Sequence, residues 1–478
     1  MKQIKRILTS HKFLLIGYLI LTSFIILIPA LYNGYPLFYS DSALYIKAAM
    51  LFGNVHPEEG IPCLSGLGYA FFIRIVTWQS TLYLVILAQA IILNILIYSS
   101  FKVLLPENKI ITYHLPIIFI LSICSSLGWT AGQLMPDIFT SCLILSVFLF
   151  FSLNNKNPGI YIFLSVIIIL SILSHLSNIG ISILILALLS VLFLIKRSYR
   201  IILKLFFRKL LVIITLLFAC FLTLIGLNKK YYNYAGLSPT SHIFFMARLM
   251  DTGFMQEFLN EKCSEKSYEM CQYKDSLPDS YESFLWSPES VFNKTGGWDL
   301  TKHEEYTEIS RDVMTSPKYL GRFLYNCVIH SYHQLLTFKT GDGLSTPYNK
   351  ETPQYMAVIS HFNKKEIRIN FQESKQMQGT INFGLVNSIN SILLFISVLI
   401  IVLTLLFYKF DSNMFLFTYV IICGVIVNAA ATSSLASVFD RFQSRVIWLI
   451  PLLASIYFSK FIYPGVINFF NKSSKNNL

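Results

Sequence analysis

The sequence predicts an all-α polytopic membrane protein of about ten transmembrane helices, with an extracytoplasmic soluble α or α+β domain set between the seventh and eighth. Three observations predict it. Of 478 residues, 54% are hydrophobic and only 13% charged, where a soluble domain carries roughly 25% charged residues. The apolar residues fall in runs near the ~20 residues that a membrane helix needs. Lys and Arg gather in alternate connections, the pattern of the positive-inside rule. A single water-soluble core and a disordered chain are both excluded. Eight cysteines are too sparse for a disulfide framework.

The first run, 13–31, follows the basic segment Lys2 to Lys12. It is long, and Tyr35-Pro36-Leu37-Phe38 follows in place of a small-residue cleavage site, so it reads as a membrane helix and not a cleaved signal. Further runs lie at 81–103, 112–128, 137–152, 159–175, 179–195, 209–227, 386–408, 412–431 and 446–460. Leu64 to Trp78 is apolar but short and contains Arg74, which suits an interfacial or re-entrant helix.

With the N-terminus inside, the cytoplasmic segments are 1–12, 104–111, 153–158, 196–209, 409–411 and 460–478. They are rich in Lys and Arg, and their acids are Glu107 and Asp411. Lys196-Arg-Ser-Tyr-Arg200, with Lys204, Arg208 and Lys209, is the strongest anchor. The net charge of +13 is thereby explained by a basic membrane-facing surface, with no nucleic acid as partner. Both termini are expected in the cytoplasm of a multi-pass bacterial inner (plasma) membrane protein.

Segment 228–385 is different, with 17 Lys/Arg against 18 Asp/Glu. It reads as the extracytoplasmic domain, between an N-terminal transmembrane domain (1–227) and C-terminal transmembrane helices with a cytoplasmic tail (386–478). Helices are expected at 242–260, 303–315 and 317–336, turns at Leu277-Pro-Asp-Ser280 and Asn293-Lys-Thr-Gly-Gly297, and a polar loop over 340–380. Cys263 and Cys271 suit a local disulfide on the oxidising side, with two buried thiols as the alternative. Cys124, Cys142, Cys220 and Cys423 read as packing residues. Cysteine and histidine spacings match no zinc site, and glycine patterns match no phosphate loop.

In so apolar a chain, ionisable groups beside spans are functional candidates. The first outer loop carries Tyr39-Ser-Asp-Ser-Ala-Leu-Tyr-Ile-Lys47. Asp41 there is either the N-cap of a helix or a carboxylate at the bilayer rim, acting as general base or metal ligand. The second carries Met135-Pro136-Asp137, with the same two readings for Asp137. The third is Ser174-His-Leu-Ser-Asn178, where His175 and Asn178 share a helix face and suit a phosphate oxygen or sugar hydroxyl. The last is Asp440-Arg-Phe-Gln-Ser-Arg445. Arg441 and Arg445 are four residues apart, hence on one face if helical. Guanidiniums at the outer rim need an anion, and a lipid-linked phosphate fits their fork; headgroup snorkelling with an Asp440 salt bridge is the structural alternative. Lys47, Arg74 and Arg248 are weaker members of this substrate-binding set.

On these residues the chain resembles the GT-C superfamily of integral membrane glycosyltransferases. Such enzymes have many spans, a cytoplasmic N-terminus, an essential Asp in the first outer loop and often an acid in the second. Ser40-Asp41-Ser42 and Met135-Pro136-Asp137 occupy those places, though the acidic pair common in the first loop is here Asp41-Ser42. The soluble domain also falls mid-chain, where many relatives carry it at the C-terminus. The resemblance implies Asp41 and Asp137 as catalytic residues. It implies a polyprenyl-phosphate-linked sugar donor held by later basic residues, membrane lipids as surroundings, and an envelope acceptor (lipid, glycan or protein). An inverting displacement at the transferred sugar is expected, since the residues offer no obvious second nucleophile. Relatives differ in whether they use a divalent cation, so that cofactor and its ligands stay open. Two other classes compete. One is a membrane acyltransferase, or a polysaccharide ligase or polymerase using a lipid-linked substrate, in which His175 becomes the base. The other is a lipid or glycan transporter, against which stand the nearly charge-free span interiors and the lack of a visible two-fold repeat.

Overall fold

The computed structural model describes residues 2–50, 52, 66–77, 80–154, 157–196, 203–299, 304–344, 352, 357–358 and 365–464. Arg197-Ser-Tyr-Arg200, much of the polar tract 340–380 and the C-terminal tail beyond 464 lie outside them.

The chain opens with α1 (Lys2–Ile26) and α2 (Ile28–Asn33), and the first loop carries α3 (Ser42–Met50) and α4 (Leu67–Thr77). A bundle follows: α5 (Tyr83–Leu104), α6 (Ile110–Cys124), α7 (Leu127–Ala131), α8 (Ile138–Ser152), α9 (Pro158–Ser174), α10 (Ser177–Ile195) and α11 (Leu203–Tyr232). The inserted domain holds α12 (Ser241–Met250), α13 (Met255–Lys262), α14 (Tyr281–Trp286), α15 (Val291–Lys294), α16 (Glu304–Thr315), α17 (Pro317–Leu336) and α18 (Lys365–Gln372). The chain returns through α19 (Phe383–Phe407), α20 (Ser412–Leu435), α21 (Asp440–Ile447) and α22 (Leu449–Tyr457). The fold is all-α: among the described residues the β-pairing is one isolated bridge, Leu37 with Gln133. The α+β option for the inserted domain is therefore corrected to α.

Among the described residues, six helices are long and apolar enough to cross a membrane: Tyr83–Leu104, Ser177–Ile195, Leu203–Tyr232, Phe383–Phe407, Ser412–Leu435 and Asp440–Ile462. The chain is thus a helical, multi-pass membrane protein, and the expected ten spans are corrected to six candidates. The other four runs form shorter helices for identifiable reasons. Run 13–31 breaks before Pro29, so the apolar part of α1 is Lys12–Ile26. Run 112–128 becomes α6, 15 residues ending before Ser125-Ser126. Runs 137–152 and 159–175 become α8 and α9, 15 and 17 residues long. Fifteen helical residues reach about 22 Å, short of the ~30 Å hydrocarbon layer. Helix α8 is apolar for another reason: it is buried nearly all round, from Ile138 to Phe151, at the centre of the bundle. Hydropathy registers a protein-buried core helix and a lipid-facing one alike.

The inserted domain has its own core, built on Ile243, Met246, Phe254, Phe258, Phe284, Phe292, Tyr306 and Tyr319. The helix expected over 242–260 is two helices, because Gly253 at φ +69° turns the chain between α12 and α13, a backbone state that glycine adopts without Cβ strain. The expected helices at 303–315 and 317–336 are present as α16 and α17. The domain is tied to the bundle through α17. Ser331 Oγ lies 3.3 Å from Ser433 Oγ on α20. The Gln334 side chain donates to the Phe439 carbonyl (2.8 Å) and accepts from its N–H (3.0 Å).

Cys263 and Cys271 are disulfide-bonded, with Cα atoms 5.9 Å apart. Closing so short a loop restricts the unfolded chain by an amount worth about 2–3 kcal/mol. Cys263→Ser/Cys271→Ser should lose about that much in the denaturant unfolding of the inserted domain, followed by tryptophan fluorescence. An unchanged midpoint would mean that the bond contributes nothing to folding.

Candidate functional site

Two loops meet before any charged group does. Leu37 N–H donates to the Gly132 carbonyl, and Leu134 N–H donates to the Leu37 carbonyl, both at 2.9 Å. Ser42 Oγ donates to the Leu134 carbonyl at 3.0 Å. Gln89, buried on α5, donates to the carbonyls of Ala131 and Gln133 and accepts from Tyr69 Oη. The first loop is also held from the inserted domain: Gln376 bonds both N–H and carbonyl of Phe38, and its own N–H donates to Asn33. These bonds carry Asp41 and Asp137, 96 residues apart in sequence, to one place.

Helix α21 supplies the opposite charges. Arg441 Nη1 donates to Asp41 Oδ2 at 2.9 Å, and Arg441 Nε stands 3.9 Å from Asp137 Oδ1. Arg445 Nη1 donates to the same Asp137 oxygen at 3.4 Å. The order is carboxylate, guanidinium, carboxylate, guanidinium, each neighbour opposite in sign. Asp137 sits at the N-cap of α8 but makes no side-chain cap bond, so its carboxylate serves the arginines and the capping alternative is overturned. Asp440 makes no ion pair with either arginine among the described residues; its Oδ1 accepts from Lys339 N–H at 2.6 Å. Arg441 N–H donates to Asp342 Oδ2 at 3.2 Å.

The two arginines differ in access. Arg445 is fully buried. Its Nε and Nη2 donate to Asn428 Oδ1 at 3.1 and 2.9 Å, and Nη2 also donates to Ser177 Oγ at 3.0 Å. It does not line the cavity, and neither does Asp137. Arg441 lines it, as does Asp41, whose side chain is 39% exposed. The Arg441 guanidinium lies 4.2 Å from the centroid of the Tyr39 ring, a stack that holds the cation flat. Burial pushes the Tyr39 phenol up to about 12, with Arg441 opposing the shift. Gly343, at φ +66°, makes room for this ring: a Cβ there would lie 2.1 Å from Tyr39 Cε2.

His175 also lines the cavity. Its Nδ1 takes the Ser177 hydroxyl at 2.8 Å and the Ser177 N–H at 3.3 Å. Ser177 Oγ already accepts from Arg445, so its proton goes to Nδ1. Burial, then the Arg445 and Arg441 charges, hold the imidazole pKa well below its ordinary value. The neutral ring therefore carries its proton on Nε2 and offers the cavity a donor, not a base.

The other expected ligands lie elsewhere. Asn178 is buried and satisfied by Thr140 and the Ser171 carbonyl, so it ties α8, α9 and α10 together and meets no substrate. Arg248 is buried in the core of the inserted domain, 3.8 Å from Asp251. Asp251 in turn accepts from Tyr281 N–H and so fixes the start of α14. Burial lowers the Arg248 pKa, with Asp251 and Cys327 opposing. Lys47 and Arg74 are half-buried on α3 and α4 and do not line the cavity. Sequence reasoning missed Tyr39, Ser177, Asn428 and Asp342. Nothing in their spacing marks them, although Ser177 stands between two residues already singled out.

The cavity measures about 1270 Å³ and lies between the loop end of the bundle and the inserted domain, which roofs it. A smaller cavity of about 310 Å³ runs between α10 and α20, lined by Ile183, Leu184, Ala430 and Ala431, and shares Gly180 and Leu435 with the first. Among the described residues no three His, Cys, Asp or Glu side chains are grouped to hold a metal ion. Asp41 and Asp137 face guanidiniums, so this donor set does not fit a divalent cation. No protein-family model, curated protein or solved structure matches the chain.

Removing one partner of a buried ion pair leaves an uncompensated charge and costs about 3–5 kcal/mol. Arg445→Met should cost that much and melt well below the parent in detergent. Arg441→Met strands only the half-exposed Asp41 and should cost about 1 kcal/mol or less. Equal losses in thermal unfolding would contradict the division between a structural and an accessible arginine.

Proposed function

We propose that the cavity transfers a glycan from a lipid-linked phosphate donor to an acceptor hydroxyl, as a polysaccharide ligase or polymerase does. This takes up the ligase or polymerase class that competed with the expected GT-C glycosyltransferase, and in it the chemistry lies at the outer membrane face with both termini inside. The observation that carries it is the Asp41–Arg441 pair on the wall of a large cavity that shares Gly180 and Leu435 with a smaller, apolar cavity between two candidate spans. A phosphate headgroup competes with Asp41 for Arg441 while its tail lies along α10 and α20. The volume also favours two substrates, since one small-molecule site takes about 300–1,000 Å³.

In this reading the donor phosphate takes Arg441 and the His175 Nε2–H, and Asp41 is released. The acceptor hydroxyl attacks the anomeric carbon and gives its proton to Asp41. The bond from that carbon to the phosphate oxygen breaks, and the lipid phosphate leaves with the electron pair. Its growing charge meets Arg441 and His175, donors set in place beforehand, so their contacts strengthen as the barrier is crossed. A single displacement inverts the sugar. Arg445 and Asp137 act by positioning Arg441 and Ser177. His175 as base, the corollary of the acyltransferase or ligase alternative, is disfavoured by its Nδ1 bonds. A lipid or glycan transporter is the second reading, because a pair that opens on anion binding can serve as a gate.

Reconstituted protein with a polyprenyl-diphosphate-linked oligosaccharide tests both. Asp41→Asn keeps the geometry without the base and should lower transfer about 100-fold or more. Arg441→Lys should recover only part of what Arg441→Ala loses, since the planar fork is gone. Translocation of the lipid-linked oligosaccharide with no glycan transferred would favour the transporter. Near-normal transfer by Asp41→Asn would leave Asp41 a helix-start residue. For topology, a cysteine at exposed Glu289 should react with an impermeant maleimide in intact cells; reaction only after permeabilisation would invert the arrangement.

A further inference from the structure

The roof of the cavity carries groups that the transfer step does not use. Tyr281, Glu282 and Trp286 of α14 line it, with Phe244, Trp298 and Ser310 beside them. The rings form one surface. Trp286 lies 5.6 Å from Trp298, Trp298 lies 6.1 Å from Phe244, and Phe244 is parallel to Tyr281 within 15°. Trp286 is 57% exposed. Ser310 Oγ is buried against the cavity with no hydrogen-bond partner among the described residues. The surface starts beside the reacting groups: Tyr281 is 5.8 Å from the ring of Phe439, two residues before Arg441. From Tyr281 to Trp286 the helix advances about 7.5 Å, enough to pass one or two pyranose rings.

The chemistry of this wall selects among occupants. A lipid tail would bury the exposed Glu282 carboxylate without a partner, at more than the about 1–3 kcal/mol of a lost neutral bond. A phosphate would face the Glu282 carboxylate. A neutral sugar has an apolar C–H face to lie on an indole and hydroxyl edges for a carboxylate and a serine. We infer that the Trp286–Trp298 wall is a carbohydrate subsite, holding the sugar units of the acceptor next to the attacking hydroxyl. The inference rests on the transferase reading for the word acceptor, and on the wall itself for the carbohydrate.

The test is saturation-transfer NMR on the full chain in nanodiscs, with maltotriose, chitotriose and mannotriose as separate probes. At least one should receive magnetisation at its ring C–H protons. Trp286→Ala should weaken that binding about tenfold, the upper range for a lost aromatic contact, and Glu282→Gln, a change of charge alone, should weaken it in a chain of unaltered shape. This binding is read with no lipid-linked donor present, so failure of glycan transfer and failure of the sugar subsite are read separately. No transfer to any of the three probes, or binding unchanged in both Trp286→Ala and Glu282→Gln, overturns the proposal.

Discussion

The arrangement depends on one buried ion pair. Asp137 at the start of α8 and Arg445 on α21 are both shut away from solvent, where a lone charge is untenable. Arg445 also reaches two further elements, through Asn428 on α20 and Ser177 on α10. Such a pair adds little net stability once desolvation is counted. What it fixes is position. With Arg445 locked, α21 cannot rotate, and Arg441 one turn earlier is presented to the cavity between Asp41 and Tyr39.

That constraint also sets the electrostatics of the cavity wall. Two carboxylates and two guanidiniums alternate, so the cluster is neutral as a whole while its exposed end remains a separable pair. Ser177 passes the influence of Arg445 to His175 by fixing which ring nitrogen holds the proton. A buried cation thereby shapes a surface that it never touches. The same residues show why no divalent cation is needed to balance Asp41 and Asp137: the arginines already do so.

The inserted domain completes the site in a different way. Its helices have a separate aromatic core, yet α17 is pinned to α20 and to Phe439, and Gln376 is pinned to the first loop. Roof and floor are therefore tied on two sides of the cavity. The roof offers aromatic faces with scattered hydroxyl and carboxylate groups, the floor offers charge, and the groove between α10 and α20 offers only apolar side chains and one serine. In the proposed transfer, these three surfaces of different chemistry would take the glycan, the anionic link and the tail respectively.

Composition and charge patterning by themselves determined the class: an all-helical membrane protein with a polar domain inserted between apolar segments, because lipid admits few other solutions for the backbone. They also marked Asp41, Asp137, His175, Arg441 and Arg445, because charge in an apolar chain is conspicuous. Residue spacing even placed both arginines on one helix face. The number of spans was beyond sequence, since α8 owes its apolar surface to burial in protein and α6 and α9 stop short of a bilayer's width. The roles within the marked set were likewise decided by tertiary structure. Asn178 and Arg248 look like ligands in one dimension, but Asn178 is taken up by Thr140 and Ser171 and Arg248 is buried in the core of the inserted domain. Arg445 and Arg441 share a charge and a helix face, and only the approach of Asn428 and Ser177 seals one while leaving the other at the cavity. Burial is a property of what comes near in space, and residues such as Tyr39 and Gly343, 304 positions apart, carry no signal of that approach in the chain itself.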